Sequence, residues 1–221
     1  MRLGTWNVEG TWGTGQAERM AALECDVWLL TEVPESAELE GFDMHTSVAE
    51  MAPHRRWAAV AARTSLGARG IADPHPAGAA VEVGALTVCS SVLPWRSSGG
   101  EHPWRGADTA ERTAFALGEL ASALPAGRTV WGGDWNHALT GKEYAGSLAG
   151  RDAIVSVLDQ LTAEALTIDC PHRLPDLFTI DHIAVPIAWE VTAPARRVEM
   201  TQSGRHLSDH DAYVVDVEPG A

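Results

Sequence analysis

Five short apolar runs in this sequence each meet a cluster of acidic, amide or imidazole side chains, and that recurrence restricts the fold more than any other feature. Residues 3–8 run into Asn7-Val8-Glu9-Gly10, and residues 25–31 deliver Glu32 before Pro34 stops them. Residues 128–132 lead into Gly133-Asp134-Trp135-Asn136, and residues 178–185 carry Asp181-His182. Ser208-Asp209-His210-Asp211 precedes an alternating run over 212–217. Short apolar runs bounded by turn formers read as strands. Any one cluster is also what a solvated turn, or an Asx turn capping a strand, looks like. Five of them at strand ends point to one shared site, with His210 as its acid/base centre.

The remaining chain fills in around these strands. Helical spacing occurs over 16–24, over 108–124 with Asp108 as the N-cap, and over 152–166, where Ile154, Val155, Leu158 and Leu161 share a face. Residues 57–62 and 189–198 read as further strands, and 80–83 with 86–92 as a hairpin around Gly84-Ala85. Residues 35–50 lack Lys and Arg and read as an exposed acidic segment; residues 94–103 are a loop by composition. Strands at both ends, several of them hairpin-linked, with helices between, predict an α/β fold with two packed mixed sheets. A chain of 221 residues, 45% hydrophobic and without a linker-like boundary, is expected to form a single domain over 1–221.

Charge narrows the function classes. The net charge is −14, Lys142 is the only lysine, and no basic run exceeds Arg55-Arg56 or Arg196-Arg197. Grip on a polyanion comes from neutralised phosphates, so long duplex DNA held electrostatically is disfavoured. If the substrate is a phosphate ester, metal ions must supply much of the attraction. Cys25, Cys89 and Cys170 are odd in number and set in or near apolar runs. They fit reduced, buried thiols of a cytoplasmic protein better than a disulfide framework or a zinc site. The N-terminus lacks a signal-peptide core, and no run approaches the ~18 apolar residues of a membrane span, so a soluble protein is expected. No protein partner is inferable.

Residues two apart on a strand share a face, which pairs Asn7 with Glu9 and Asp134 with Asn136. Glu32, ending a buried strand, needs a charge partner, hydrogen bonds or a metal. Oxygen donors from Glu32, Asn7 and Asp209, without clustered Cys or His, suit magnesium or manganese rather than zinc. Alternation separates Asp181 from His182, which leaves Asp181 to orient another imidazole and His182 to a structural role. It separates Asp209 from His210 in the same way: one can face the metal while the other faces the scissile bond.

The set Thr5-Trp6-Asn7-Val8-Glu9-Gly10, Leu30-Thr31-Glu32, Gly133-Asp134-Trp135-Asn136, Ile180-Asp181-His182-Ile183 and Ser208-Asp209-His210 resembles the endonuclease/exonuclease/phosphatase superfamily in order and approximate spacing. The resemblance spans residues 5–210. It implies a four-layer α-β-β-α sandwich and metal-dependent phosphoester hydrolysis. It further implies that Glu32 is the principal metal ligand, with Asn7 and Asp209 nearby and Glu9 contributing. His210 takes the role of the histidine on the scissile phosphate, Asp181 that of its orienting carboxylate. Asp134 corresponds to the aspartate that positions the attacking water, and Asn136 to the amide that holds a phosphate oxygen.

The chain also departs from the pattern. Many members carry a histidine after the middle strand, where this sequence reads Ser90-Ser91-Val92-Leu93-Pro94-Trp95-Arg96. The mid-chain tyrosine of some nucleases has no obvious counterpart either. Arg96 and Arg105 are candidate substrate contacts, against the plainer reading of each as a solvated loop arginine. Trp12, Trp95 and Trp104 fall in loops, as a platform for bases or as loop anchors. The favoured expectation is a Mg2+- or Mn2+-dependent phosphodiesterase or nuclease acting on short or single-stranded nucleic acid or a small diester. A phosphatase of small phosphomonoesters and a catalytically silent binding protein are the alternatives.

Overall fold

The computed structural model describes residues 1–220. The chain begins β1 (Arg2–Asn7), α1 (Thr14–Ala22), β2 (Val27–Pro34), β3 (Phe42–Thr46), β4 (Glu50–Ala52) and β5 (Arg55–Arg63). It continues β6 (Arg69–Gly70), β7 (Gly78–Val83), β8 (Leu86–Ser91), α2 (Thr109–Ala123), β9 (Thr129–Asp134) and α3 (Leu148–Leu161). It closes with β10 (Ala163–Ala165), β11 (Asp181–Pro186), β12 (Glu190–Val198), the ribbon β13 (Thr201–Gln202) and β14 (Arg205–His206), and β15 (Ala212–Glu218).

One sheet runs in the order β12-β15-β1-β2-β5-β3 with β4 on β5, and the other in the order β10-β11-β9-β8-β7-β6. The pairs β1–β2 and β8–β9 are parallel within otherwise antiparallel ladders, so both sheets are mixed. The inward faces meet through Leu3, Leu29 and Val60 on one side and Val88, Val130 and Ile183 on the other. The alternate residues Trp6, Trp28 and Leu30 face outward and pack with Met20 of α1. Outside the second sheet, Trp131 packs with Leu117 and Leu120 of α2 and Ile154 and Leu158 of α3. The result is the α-β-β-α layering that the resemblance implies.

This topology gathers the polar clusters at one edge. Parallel β1 and β2 end side by side, and antiparallel β15 starts beside the end of β1. In the second sheet β9 ends where β11 starts, so that Asp134 lies directly opposite Asp181. Alternation from Leu3, Val130 and Ile183 places Asn7, Asp134 and Asp181 on the inward faces.

Two expectations need correction. The third helix starts at Leu148, where the Ser147 Oγ accepts the Gly150 N–H at 3.0 Å, and it ends where Thr162 turns left-handed at φ 52°. Residues 163–165 then pair with β11 instead of continuing the helix. The acidic stretch 35–50 holds an edge strand, β3, because Phe42 and Met44 pack onto the first sheet's outer core. The strand β12 carries Pro194 amid two register shifts, as an edge strand can. Asp108 caps α2 as expected, accepting the Glu111 N–H at 2.9 Å. All three cysteines are free and buried. No helix among the described residues is long and apolar enough to cross a membrane.

Candidate active site

The edge where the strands converge is a continuous polar network. Asn7 Nδ2 donates to Glu32 Oε1 and to Asp134 Oδ2, both at 3.0 Å. Asn7 Oδ1 accepts the backbone N–H of Glu9 at 2.9 Å, which fixes the orientation of the amide. Asn7 therefore presents its Nδ2 donor to the two carboxylates. Strict alternation would send Glu32 outward with Trp28 and Leu30. Its φ of 54° breaks the strand geometry there and returns the carboxylate to Asn7.

The second half of the network is centred on His210. Its Nδ1 lies 2.8 Å from Asp181 Oδ2, while Nε2 lies 3.9 Å from Asp134 Oδ2 and 3.9 Å from Asp209 Oδ1. The turn that carries it is pinned to β1. Ser208 Oγ donates to the Asn7 carbonyl at 2.7 Å and accepts the His210 N–H at 3.0 Å, and Trp6 Nε1 donates to the His210 carbonyl. Arg173 donates to the carbonyls of Ser208 and Asp209. Together these hold the imidazole without help from the pocket contents.

Electrostatics follow from this crowding. Burial, then the charge of Asp181, push the Asp134 carboxyl up to about 7. Burial works to lower the His210 pKa, but the charge and hydrogen bond of Asp181, with Asp134 beyond, overcome it and hold the imidazolium up to about 10. Donor atoms of Asp134, Asp181 and His210 all lie within 4.8 Å of one another.

The other candidates fall in different places. Asp134 Oδ1 accepts the Asn136 N–H at 3.0 Å, so this pair and Asn7–Glu9 are both Asx turns as well as members of the network. Asn136 Nδ2 donates to the Leu93 carbonyl at 2.9 Å, leaving its second hydrogen free for a ligand. Glu9 is exposed, and its carboxylate accepts the Asp209 N–H at 2.9 Å, which makes it a brace for the turn. Glu9, Glu32 and Asn136 all sit at φ between 52° and 54°. Such left-handed non-glycine residues each cost on the order of 1 kcal/mol and collect at functional sites.

Arg96 is exposed and does not line the pocket; its Nε lies 3.4 Å from the Gly146 carbonyl, and Trp95 occupies the wall instead. A basic residue does reach the site, from a position that the sequence did not single out. Arg55 Nη1 lies 2.9 Å from Glu32 Oε2, because β5 pairs antiparallel with β2 and sets residue 55 opposite Pro34. Gly10 admits it: at φ 65°, a Cβ there would fall 2.2 Å from Arg55 Nε. The pair Arg55-Arg56 was visible in the sequence, but only the pairing of β5 with β2 shows where it points.

His182 is structural, as alternation predicts. It is buried on the outer face beside Trp135, with Nε2 2.9 Å from the His137 carbonyl and Nδ1 3.1 Å from Thr167 Oγ1. Burial pulls its pKa down to about 4, and burial does the same to His75. A histidine with a depressed folded pKa contributes stability present above ~6.5 and lost as pH falls toward the folded value. Between pH 7 and 5 the wild type is therefore expected to lose roughly 1–2 kcal/mol more stability in urea unfolding than a His182→Gln protein does. Equal pH dependence in both proteins would contradict that assignment.

A pocket of about 210 Å³ opens onto the network, lined by the polar Glu32, Asp134, Asn136 and His210 and by the apolar Met51, Val92 and Trp95. Buried carboxylates with one imidazole and one guanidinium among them are short of positive charge. Oxygen donors at Glu32 and Asp134, with the exposed Asp209 at the rim, fit a hard divalent cation.

The sequence matches no known family model and no curated protein. Solved structures do resemble this one. The endonuclease domain of TRAS1, a telomere-specific non-LTR retrotransposon, is 16% identical with a TM-score of 0.65, covering 97% of this chain and 96% of that one. An endonuclease/exonuclease/phosphatase from Beutenbergia cavernae DSM 12333 is 16% identical with a TM-score of 0.64, covering 100% of this chain and 72% of that one. The 3'-5' exonuclease NExo from Neisseria meningitidis is 17% identical with a TM-score of 0.63, covering 98% and 99%. The chain has the fold of the endonuclease/exonuclease/phosphatase superfamily.

Proposed function

We propose that this chain, acting as one catalytic domain, is a divalent-metal-dependent phosphoester hydrolase with phosphodiesters as its substrate class. The observation that carries this reading is the geometry of His210. Its Nδ1 is held by Asp181 at 2.8 Å, while Nε2 lies 3.9 Å from Asp134 in a pocket shared with Glu32. With Asp181 accepting at Nδ1, the Nε2–H of the imidazolium donates to a phosphoryl or leaving oxygen. Asp134, with its pKa lifted to about 7, accepts a hydrogen bond from the attacking water and orients it. The free Nδ2 hydrogen of Asn136 contributes a donor to a phosphate oxygen. Glu32 is the principal residue to hold Mg2+ or Mn2+, with Asp209 at the rim; Asn7 fixes the spacing of Glu32 and Asp134. When bound, the ion supplies Lewis acidity and charge neutralisation.

The TRAS1 domain and NExo lend support as an endonuclease and an exonuclease of the same fold. The net charge of −14 favours short or single-stranded nucleic acid, or a small diester, over long duplex. That same acidity favours the runner-up, a phosphatase of small monoesters. The three buried free thiols suit a reducing compartment such as the cytoplasm. Turnover of bis-p-nitrophenyl phosphate, p-nitrophenyl phosphate and a labelled oligonucleotide, each with and without chelator, separates these readings. Diester cleavage that chelator abolishes is the expected outcome. Monoester turnover alone would move the assignment to the phosphatase, and hydrolysis indifferent to chelator would remove the metal from the account.

Arg55 bears on the same proposal. Glu32 has Asn7 on one oxygen and Arg55 on the other, so a cation must compete with the guanidinium for Oε2. Arg55→Gln is expected to raise Mn2+ affinity several-fold, about 0.5–1 kcal/mol for a partly exposed ion pair, as measured by calorimetry. Unchanged or weaker binding in that variant would show that the ion pair does not obstruct the cation.

A further inference from the structure

Of the three loop tryptophans, two are anchors. Trp12 donates its Nε1 to the Glu38 carbonyl and packs against the first sheet's outer core, and Trp104 is 4% exposed. Trp95 differs: it is only partly buried and forms part of the pocket wall beside Met51 and Val92. It is also braced. Trp104 meets it edge-to-face at 6.4 Å, and Trp104 itself is fixed by a stacked His75 at 5.4 Å and an edge-on Trp57 at 5.3 Å. Its carbonyl accepts from both the N–H and the Oγ of the buried Ser98, at 3.0 and 2.7 Å. The indole is thus held in place before any ligand arrives.

Trp95, Met51 and Val92 make up the apolar part of the lining. Val92 stands in the stretch where many proteins of the resembled superfamily carry a histidine, so no second imidazole serves the phosphate from this side. A phosphate group gains nothing from Trp95, Met51 and Val92; an attached apolar group does, through buried area and stacking. The pocket, at about 210 Å³, lies below the ~300–1,000 Å³ of sites that enclose drug-sized ligands. That size suits a phosphate with one ring. A rigid indole beside an adaptable methionine is suited to a flat ring.

We propose that Trp95, with Met51 and Val92, is a ring-binding wall, and that the substrate is a phosphoester carrying a nucleobase next to the reacting phosphate. The proposal rests on the phosphoesterase reading and names its substrate class. Stacking gives affinity without reading base identity, so turnover with little base preference accompanies it.

The test is calorimetric binding, in magnesium buffer, of thymidine 5'-phosphate, 2-deoxyribose 5-phosphate and phenyl phosphate to the full chain, Trp95→Phe and Trp95→Ala. The wild type is expected to prefer thymidine phosphate over the ring-free sugar phosphate by roughly ten- to a hundredfold, the fold equivalent of one stacked base. Trp95→Phe is expected to keep most of that ratio, and Trp95→Ala to bring it to about one. Phenyl phosphate binding more weakly than thymidine phosphate supports the nucleobase; equal affinity overturns it in favour of any aryl ester. No preference in the wild type, or a ratio that survives Trp95→Ala, overturns the ring-binding wall itself. Because the readout is a binding ratio, failure of turnover in the chelator panel sinks the phosphoesterase reading separately.

Discussion

Diester hydrolysis by a His210→Ala protein is expected to fall about 10²–10⁴-fold at saturating metal, with binding of the ion little changed. The magnitude follows from what the side chain does. In the fold its Nδ1 is fixed by Asp181, and two buried carboxylates hold its proton against the desolvation that would otherwise remove it. Alanine removes the only imidazole lining the pocket; the ion and Asp134 remain and supply the residual rate. Folding should persist, because Ser208, Trp6 and Arg173 hold this turn through backbone groups that alanine retains. Steady-state turnover of bis-p-nitrophenyl phosphate checks this, and a rate within about twofold of wild type would remove His210 from the chemistry.

The second large effect concerns the fold beneath the site. Gly132 lies on the inward face of β9, where a Cβ would fall 2.4 Å from the backbone carbonyl of His182 and 2.6 Å from Leu29 Cδ1. A side chain can swing away, but the carbonyl belongs to the ladder that sets Asp181 opposite Asp134. Gly132→Ala is therefore expected to destabilise the protein by about 1–3 kcal/mol in urea unfolding, as overpacking does. It should also reduce hydrolysis in the fraction that remains folded, since relief of the clash displaces the strand carrying Asp181. Unchanged stability would mean that the two sheets have slack at their interface, against the close contact seen there.

These cases show what was legible in the sequence. The strands, their polar ends and the capped helix at 109–123 carry local signals, and the resemblance ordered them into layers. Asn7, Glu32, Asp134, Asp181 and His210 could be singled out because a polar residue closing an apolar run is conspicuous. What local pattern does not carry is pairing. Arg55 sits at Glu32 only because β5 lies antiparallel to β2, and Trp95 is a wall while Trp104 is an anchor only through the packing of residues 94–104. Alternation misplaces Glu32 because a single left-handed residue reverses its face. It also cannot reveal that the Asn7 amide bridges Glu32 and Asp134 through its nitrogen while its oxygen accepts the Glu9 N–H. The edge strand β3 went unread because its two packing residues, Phe42 and Met44, lie among acidic neighbours.

The central claim is that a hard divalent cation held at Glu32 is required for diester hydrolysis at the His210–Asp181–Asp134 network. The direct measurement is turnover of bis-p-nitrophenyl phosphate by chelator-stripped wild type and Glu32→Gln protein as Mg2+ or Mn2+ is added back. Stripped wild type is predicted to be inactive and to recover with the ion, while Glu32→Gln stays near background at the same concentrations. Full turnover by the stripped wild type, or a Glu32→Gln titration that overlays the wild type, would contradict it.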